Sequence, residues 1–186
     1  MPYTPTVSGD LIKKVTIVDS GGAAVTPNTV TTTHTLVGNN AAGIQVPLFS
    51  VTGSVEVFRL YYIVTTVFGS NHTAAYFQIN DQTATPDISL ASGVTVSSAA
   101  VGSFVSRHSL VSVALIVKDA VAGGVKDPVA ATAPGMFMPF VVTQKTGGIA
   151  TNIEYVYSTT NTPTTGAFKC YIQYRPLSDD GAITAI

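Results

Sequence analysis

Apolar and polar side chains alternate with a period of two along most of this chain, and clusters of Gly, Pro, Asn and Asp break the alternation every ten or so residues. Leu11, Lys13, Val15 and Ile17 share one parity of a first strand, which stops at Asp19-Ser20-Gly21-Gly22, where the glycines permit positive φ. A threonine-rich strand over 29–37 follows, ended by Gly38-Asn39-Asn40. The segment 44–51 contains Pro47, which cannot donate to a ladder, so an edge strand or a sheet corner is expected there. Residues 54–68 and 73–79 flank Gly69-Ser70-Asn71-His72, turn chemistry that predicts a β-hairpin. In its first arm Val55 and Val57 alternate with Glu56 and Phe58, but Tyr61, Tyr62, Ile63 and Val64 are apolar on both parities, as in a strand covered on both faces.

Further strands are predicted at 87–91, 102–107, 110–117, 136–143, 149–158 and 167–174, with a long Ala-, Gly- and Pro-dominated loop over 120–135. The expected fold is all-β: an antiparallel β-sandwich, jelly-roll-like, of about ten short strands. One domain spans 11–186. Residues 1–10, with Pro2 and Pro5 among Thr and Ser, favour an extended arm.

Composition narrows the function. Charged residues are 10% of the chain, against roughly 25% in ordinary soluble domains. The 46% hydrophobic content argues against disorder. Such a chain must bury surface, including against copies of itself. Nine Lys and Arg against ten Asp and Glu, scattered, give no electrostatic footprint for nucleic acid. Apolar runs are broken by Glu56, Arg59, Lys118 and Asp119, so no membrane span is expected. Residues 1–10 lack a basic segment leading into an apolar core, so synthesis in the cytoplasm is expected. The single cysteine, Cys170, excludes an internal disulfide.

Candidate chemistry is sparse. A nucleophile needs a histidine within reach and a third group to orient it, but His34, His72 and His108 are far apart in sequence. His72 falls in the predicted turn, His108 at a strand end, and His34 on a strand where a sheet-surface position is expected. Cys170, between Lys169 and Tyr171, reads as a small buried hydrophobe. Zinc spacings are missing. Asn80-Asp81-Gln82 with Asp87 is the one cluster that could begin a calcium site, and turn chemistry, in which Asn and Asp side chains bond their own backbone, is the better reading of it. Glu56 and Glu154 would matter if a cleft brought either to a second carboxylate. The glycine pairs lead into no helix and make no phosphate-binding loop. No catalytic residue, cofactor or metal ligand is therefore assigned. Tyr61, Tyr62, Tyr76 and Phe77 could form an aromatic platform for sugars or, alternatively, a core or subunit interface.

Two segments resemble one family. Pro47-Leu48-Phe49-Ser50-Val51-Thr52-Gly53, followed by a long apolar strand, and 168–182, ending Tyr174-Arg175-Pro176-Leu177-Ser178-Asp179-Asp180-Gly181-Ala182, are similar to segments of small all-β virion proteins of tailed bacteriophages. Cys170 stands where those proteins often carry Trp, and Asp180 is an extra residue. The resemblance implies a capsid decoration, or cement, protein: a non-enzymatic homotrimer on the capsid surface of the virion, partnered by the major capsid protein. Pro2, Tyr3 and Pro5 of the arm and Pro47, Leu48 and Phe49 are the expected contact residues. The alternative is a head-fibre or tail-tip module that binds host glycans.

Overall fold

The computed structural model describes residues 27–38, 40–82, 87–107, 114–118, 138–159 and 164–186. The expected arm with Pro2, Tyr3 and Pro5, the strand over 11–17, the loop over 120–135 and His108 lie outside the described residues. Eleven strands are present among the described residues: β1 (Asn28–Thr35), β2 (Ile44–Thr52), β3 (Ser54–Thr66), β4 (His72–Asn80), β5 (Ile88–Ser89), β6 (Phe104–Ser106), β7 (Ile116–Lys118), β8 (Phe140–Thr143), β9 (Thr151–Thr159), β10 (Ala167–Pro176) and β11 (Ala182–Ala185). There is no helix among the described residues, and so none long and apolar enough to cross a membrane.

The strands form two antiparallel sheets. Sheet I runs β1-β10-β3-β6-β7, with β8 also pairing β3; sheet II runs β11-β2-β9-β4-β5. Strand β3 has 13 residues, long enough to pair β8 at Ser54–Val57 and β6 at Tyr61–Ile63 along one edge, while β10 takes the other. The chain is thus the all-β sandwich that the alternation implies.

Bulges explain two places where the alternation breaks. Val57 pairs Tyr174 and Arg59 pairs Gln173, so Phe58 is one residue too many for the ladder. The inward parity therefore shifts from Val55 and Val57 to Leu60, Tyr62 and Val64, all buried. Strand β2 does the same at Leu48, between Pro47 opposite Glu154 and Phe49 opposite Ile153. Inward residues change from Val46 to Phe49 and Val51, with Leu48 buried as well.

This corrects the expectation for Pro47. Strand β2 is not an edge, since it lies between β11 and β9. Proline is tolerated because it adjoins the bulge and because β11 stops opposite Phe49, leaving only the Ile186 amide donating to Leu48 O at 3.1 Å beyond it.

The expected hairpin is also corrected. Strand β3 belongs to sheet I and β4 to sheet II, so residues 67–71 cross the sandwich. The flanks decide this: Phe68 and His72 are buried between the sheets, and the crossing is tied by Phe68 N to Ala99 O at 3.1 Å and Gly69 N to Thr165 O at 2.9 Å. Their burial offsets the loss of a tight turn.

Two more crossings share one corner. The chain passes from β2 to β3 at Gly53 and from β10 to β11 over 177–181, the two segments singled out above. Leu177 N donates to Ser54 O and Ser54 N to Ser178 Oγ, both at 2.8 Å. Ser178 Oγ donates to Asp180 Oδ1 at 2.7 Å, and Thr52 Oγ1 to Asp180 O at 3.1 Å. The Pro-Leu-Ser-Asp-Asp-Gly run is therefore a latch that closes the two sheets on each other.

Candidate functional site

One cluster of polar groups lies between the two sheets among the aromatic core residues. Tyr62 of β3 and Tyr155 of β9 face each other across the core with hydroxyls 2.9 Å apart, and the Tyr155 hydroxyl lies 2.7 Å from Nε2 of His72. Tyr157 stacks on the imidazole, ring centres 4.6 Å apart. Its own hydroxyl donates to Val37 O at 2.7 Å, tying the end of β1 to β9. His72 was expected in a turn; it is 0% exposed, and burial lowers its pKa to about 4. A neutral imidazole sealed among rings cannot meet a substrate, so this triad specifies how the two sheets pair.

His34 is half-buried on the inward side of β1, packed 5.7 Å from the Phe168 ring, which corrects its expected sheet-surface position. Cys170 is fully buried, and desolvation pushes its thiol up from the ordinary range. We expect native protein to give no thiol signal with an aromatic disulfide reagent at pH 8 and one equivalent after denaturation. Reaction of the native protein at the rate of a free thiol would contradict this burial.

The carboxylates are placed as follows. Glu56 forms an ion pair with Arg175. Glu154 and Asp87, distant in sequence, are brought together: Gln78 Nε2 donates to Glu154 Oε2 at 2.8 Å and to Asp87 Oδ2 at 2.7 Å. Asn80 Nδ2 donates to Glu154 Oε1 at 3.1 Å and Gln45 Nε2 to Asp87 Oδ2 at 3.2 Å. Sequence reasoning missed this pair because only the β4–β9 register aligns Gln78 with Glu154. General acid and base catalysis needs both groups facing a cleft, whereas Glu154 is 2% exposed and both its oxygens accept from amides. The cluster considered for calcium is dispersed. Asn80 Oδ1 accepts from Gln82 N at 2.7 Å in a local turn, and Asp81 pairs with Lys145 at 4.0 Å.

That Lys145–Asp81 pair sits at a cleft of about 350 Å³ between the sheet ends, walled by Ile79, Ile88, Val141 and Val142. Its polar lining is Asp81, Thr143, Gln144, Lys145, Thr146 and Thr151, which pairs no second acid with Asp81 and brings no histidine to a hydroxyl. Arg107 spans the sheets nearby, with Nε donating to Leu90 O at 3.1 Å and a terminal nitrogen to Met138 O at 2.7 Å.

The outer faces remain. On sheet I, Tyr171, Tyr61 and Phe104 form a row across β10, β3 and β6, with ring centres 4.9 and 5.1 Å apart. Tyr61 and Tyr171 are parallel within 7°, one strand spacing apart, so they stack on each other with edges outward. Lys169 holds its ammonium 5.4 Å from the centre of the Tyr171 ring. Beside this row β1 exposes Thr29, Thr31, Thr33 and Thr35. Of the rings expected to form a sugar platform, Tyr62 and Phe77 are core and Tyr76 lies on the other sheet; sequence alternation gave no sign of Tyr171 and Phe104 as partners of Tyr61.

Of the expected contact residues, Leu48 and Phe49 are core side chains, 1% and 0% exposed, and offer nothing to a partner; Pro47 alone of that trio is exposed. The bulge at Leu48 turns the Leu48 and Phe49 side chains inward, which the proline signal does not reveal. No family model, characterised protein or solved structure matches the chain.

Proposed function

We propose that the protein is a non-enzymatic virion structural protein of a tailed bacteriophage, a capsid decoration protein that binds the major capsid protein as a homotrimer and stabilises the shell. The observation that carries this reading is the outer face of sheet I. Among the described residues it carries few charges, Arg59, Lys169 and the Arg175–Glu56 ion pair, and it presents a threonine column and rings that stack on each other. Surfaces of this kind lose little on dehydration because few charges must be stripped of water. The resemblance of 47–53 and 168–182 to phage virion proteins supports the class. Attachment is adhesive, and contacts of moderate strength suffice where three copies engage one lattice together.

The glycan-binding alternative asks for ring faces open to a sugar. Tyr61 and Tyr171 instead cover each other, which favours docking of protein over stacking of sugar.

The test adds purified protein to empty expanded capsids and measures co-sedimentation and shell melting. Wild-type protein should attach and raise the melting temperature. A Thr31→Glu, Thr33→Glu variant, altered only at exposed outer positions, should fold normally yet attach at least about tenfold more weakly. A folded wild-type protein without affinity for any shell defeats the proposal.

A further inference from the structure

Strand β1 ends sheet I on one side: β10 bonds one of its edges, and no strand among the described residues takes the other. Which groups face that open edge follows from the ladder. Leu36 N donates to Gly166 O at 2.8 Å, one step beyond the Thr35–Ala167 pair, so the even-numbered residues of β1 exchange bonds with β10. The amides and carbonyls of Thr29, Thr31, Thr33 and Thr35 therefore point away from the sheet. Natural edge strands are blunted by a charge, a proline or a bulge. Asn28–Thr35 contains none of the three, and its register with β10 runs unbroken. Its inward residues Val30, Thr32 and His34 are only half-buried, and Nε2 of His34 finds no hydrogen-bond partner among the described residues.

We propose that two copies of this chain join through β1, edge to edge and antiparallel across a two-fold axis at Thr31, so that sheet I runs on from one copy into the next. The strand itself selects both the occupant and the register. A pairing that keeps inward residues inward must oppose residues of the same parity. With Thr31 opposite its own copy, Thr29 meets Thr33, Val30 meets Thr32 and Asn28 meets His34. Threonines then face threonines on the outer side, and the Asn28 carboxamide lies across from the imidazole that lacks a partner. Strand β1 holds no Lys, Arg, Asp or Glu, so no like charges are brought together. Thr31 exchanges both backbone bonds with its copy, and so does Thr29 with Thr33 on each side of the axis. The contact is isologous and links chains in pairs. It goes beyond the decoration reading without resting on it, and in a trimeric protein it joins one trimer to the next.

The experiment uses the isolated full chain without capsids, read by sedimentation velocity and light scattering over a concentration series, with hydrogen exchange of the threonine amides. Wild type should form dimers, or hexamers if the chain is trimeric, and should protect the Thr29, Thr31 and Thr33 amides as it does so. Thr31→Lys and Thr31→Glu, each altered at an exposed side chain, should fold as judged by circular dichroism and weaken the pairing at least about tenfold, because each opposes like charges at the axis. An equimolar mixture of the two sets opposite charges across the axis and should recover wild-type association to within about threefold. Wild type that stays monomeric or trimeric at every concentration overturns the proposal, as does a mixture no better than its components. A monomer with those amides already protected also overturns it and assigns the edge to residues 1–26 of the same chain. Capsid attachment is measured separately, so a chain that decorates shells without pairing removes only this contact.

Discussion

Gly181→Ala is expected to lower stability by about 3 kcal/mol, the upper range for forcing an extra methyl into a packed site. A Cβ there would collide with the carbonyl oxygen of Ser54 and lie 2.9 Å from that of Ser178. Both are backbone atoms inside the latch, so relief requires moving the β2–β3 crossing away from the β10–β11 turn. Gly53→Ala attacks the same corner from the other strand. Its φ of +55 is unfavourable for any side chain, and its Cβ would run into Asp180. Gly147 is the control: its φ is +95, yet nothing lies within 4 Å of the added atom. Gly147→Ala should cost only the backbone term, about 1 kcal/mol. Urea midpoints at constant slope give the three values. Were Gly181→Ala to unfold within about 0.5 kcal/mol of wild type, the latch would not be holding the sheets.

Acidification should cost a comparable amount through His72. In the unfolded chain its pKa is the ordinary 6.5, and burial in the fold lowers it to about 4. Between these values the unfolded state binds a proton that the folded state refuses, so stability falls as pH drops from 6.5 towards 4 and levels off below. The full effect is about 3 kcal/mol. His34, lowered by burial as well, adds in the same direction. His72→Phe removes the titrating group while keeping an aromatic ring beside Phe68 and Tyr157, and should flatten most of the pH slope at some loss of stability at pH 7. Unfolding midpoints of both proteins at half-unit pH steps measure this. An unchanged slope in the variant would place the acid sensitivity elsewhere.

Strand positions were legible in the sequence because each sheet has one inner face, and period-two alternation reports it residue by residue. Even the doubly apolar run Tyr61–Val64 had a readable meaning: rings stack outside the sheet while Tyr62 fills the core. Pairing was not legible. Gly69-Ser70-Asn71 has the composition of a hairpin loop, and only the burial of Phe68 and His72 shows that it bridges two layers. Strand β11 went unforeseen because Ala182–Ala185 is four residues with one inward side chain, Ile183, too short for a period to register. The Asp87–Glu154 pair and the aromatic row were hidden for a common reason. Each joins residues from strands whose adjacency depends on register rather than on nearness along the chain.

That adjacency bears on how the molecule is made. None of β1, β2, β3 and β4 pairs with another of the four; β1 and β3 are joined through β10, and β2 and β4 through β9. The strand that joins each pair follows all four along the chain, so neither layer can close before β9 and β10 have been made. The nascent polypeptide must therefore stay soluble with its Val- and Tyr-rich segments uncovered until those strands emerge.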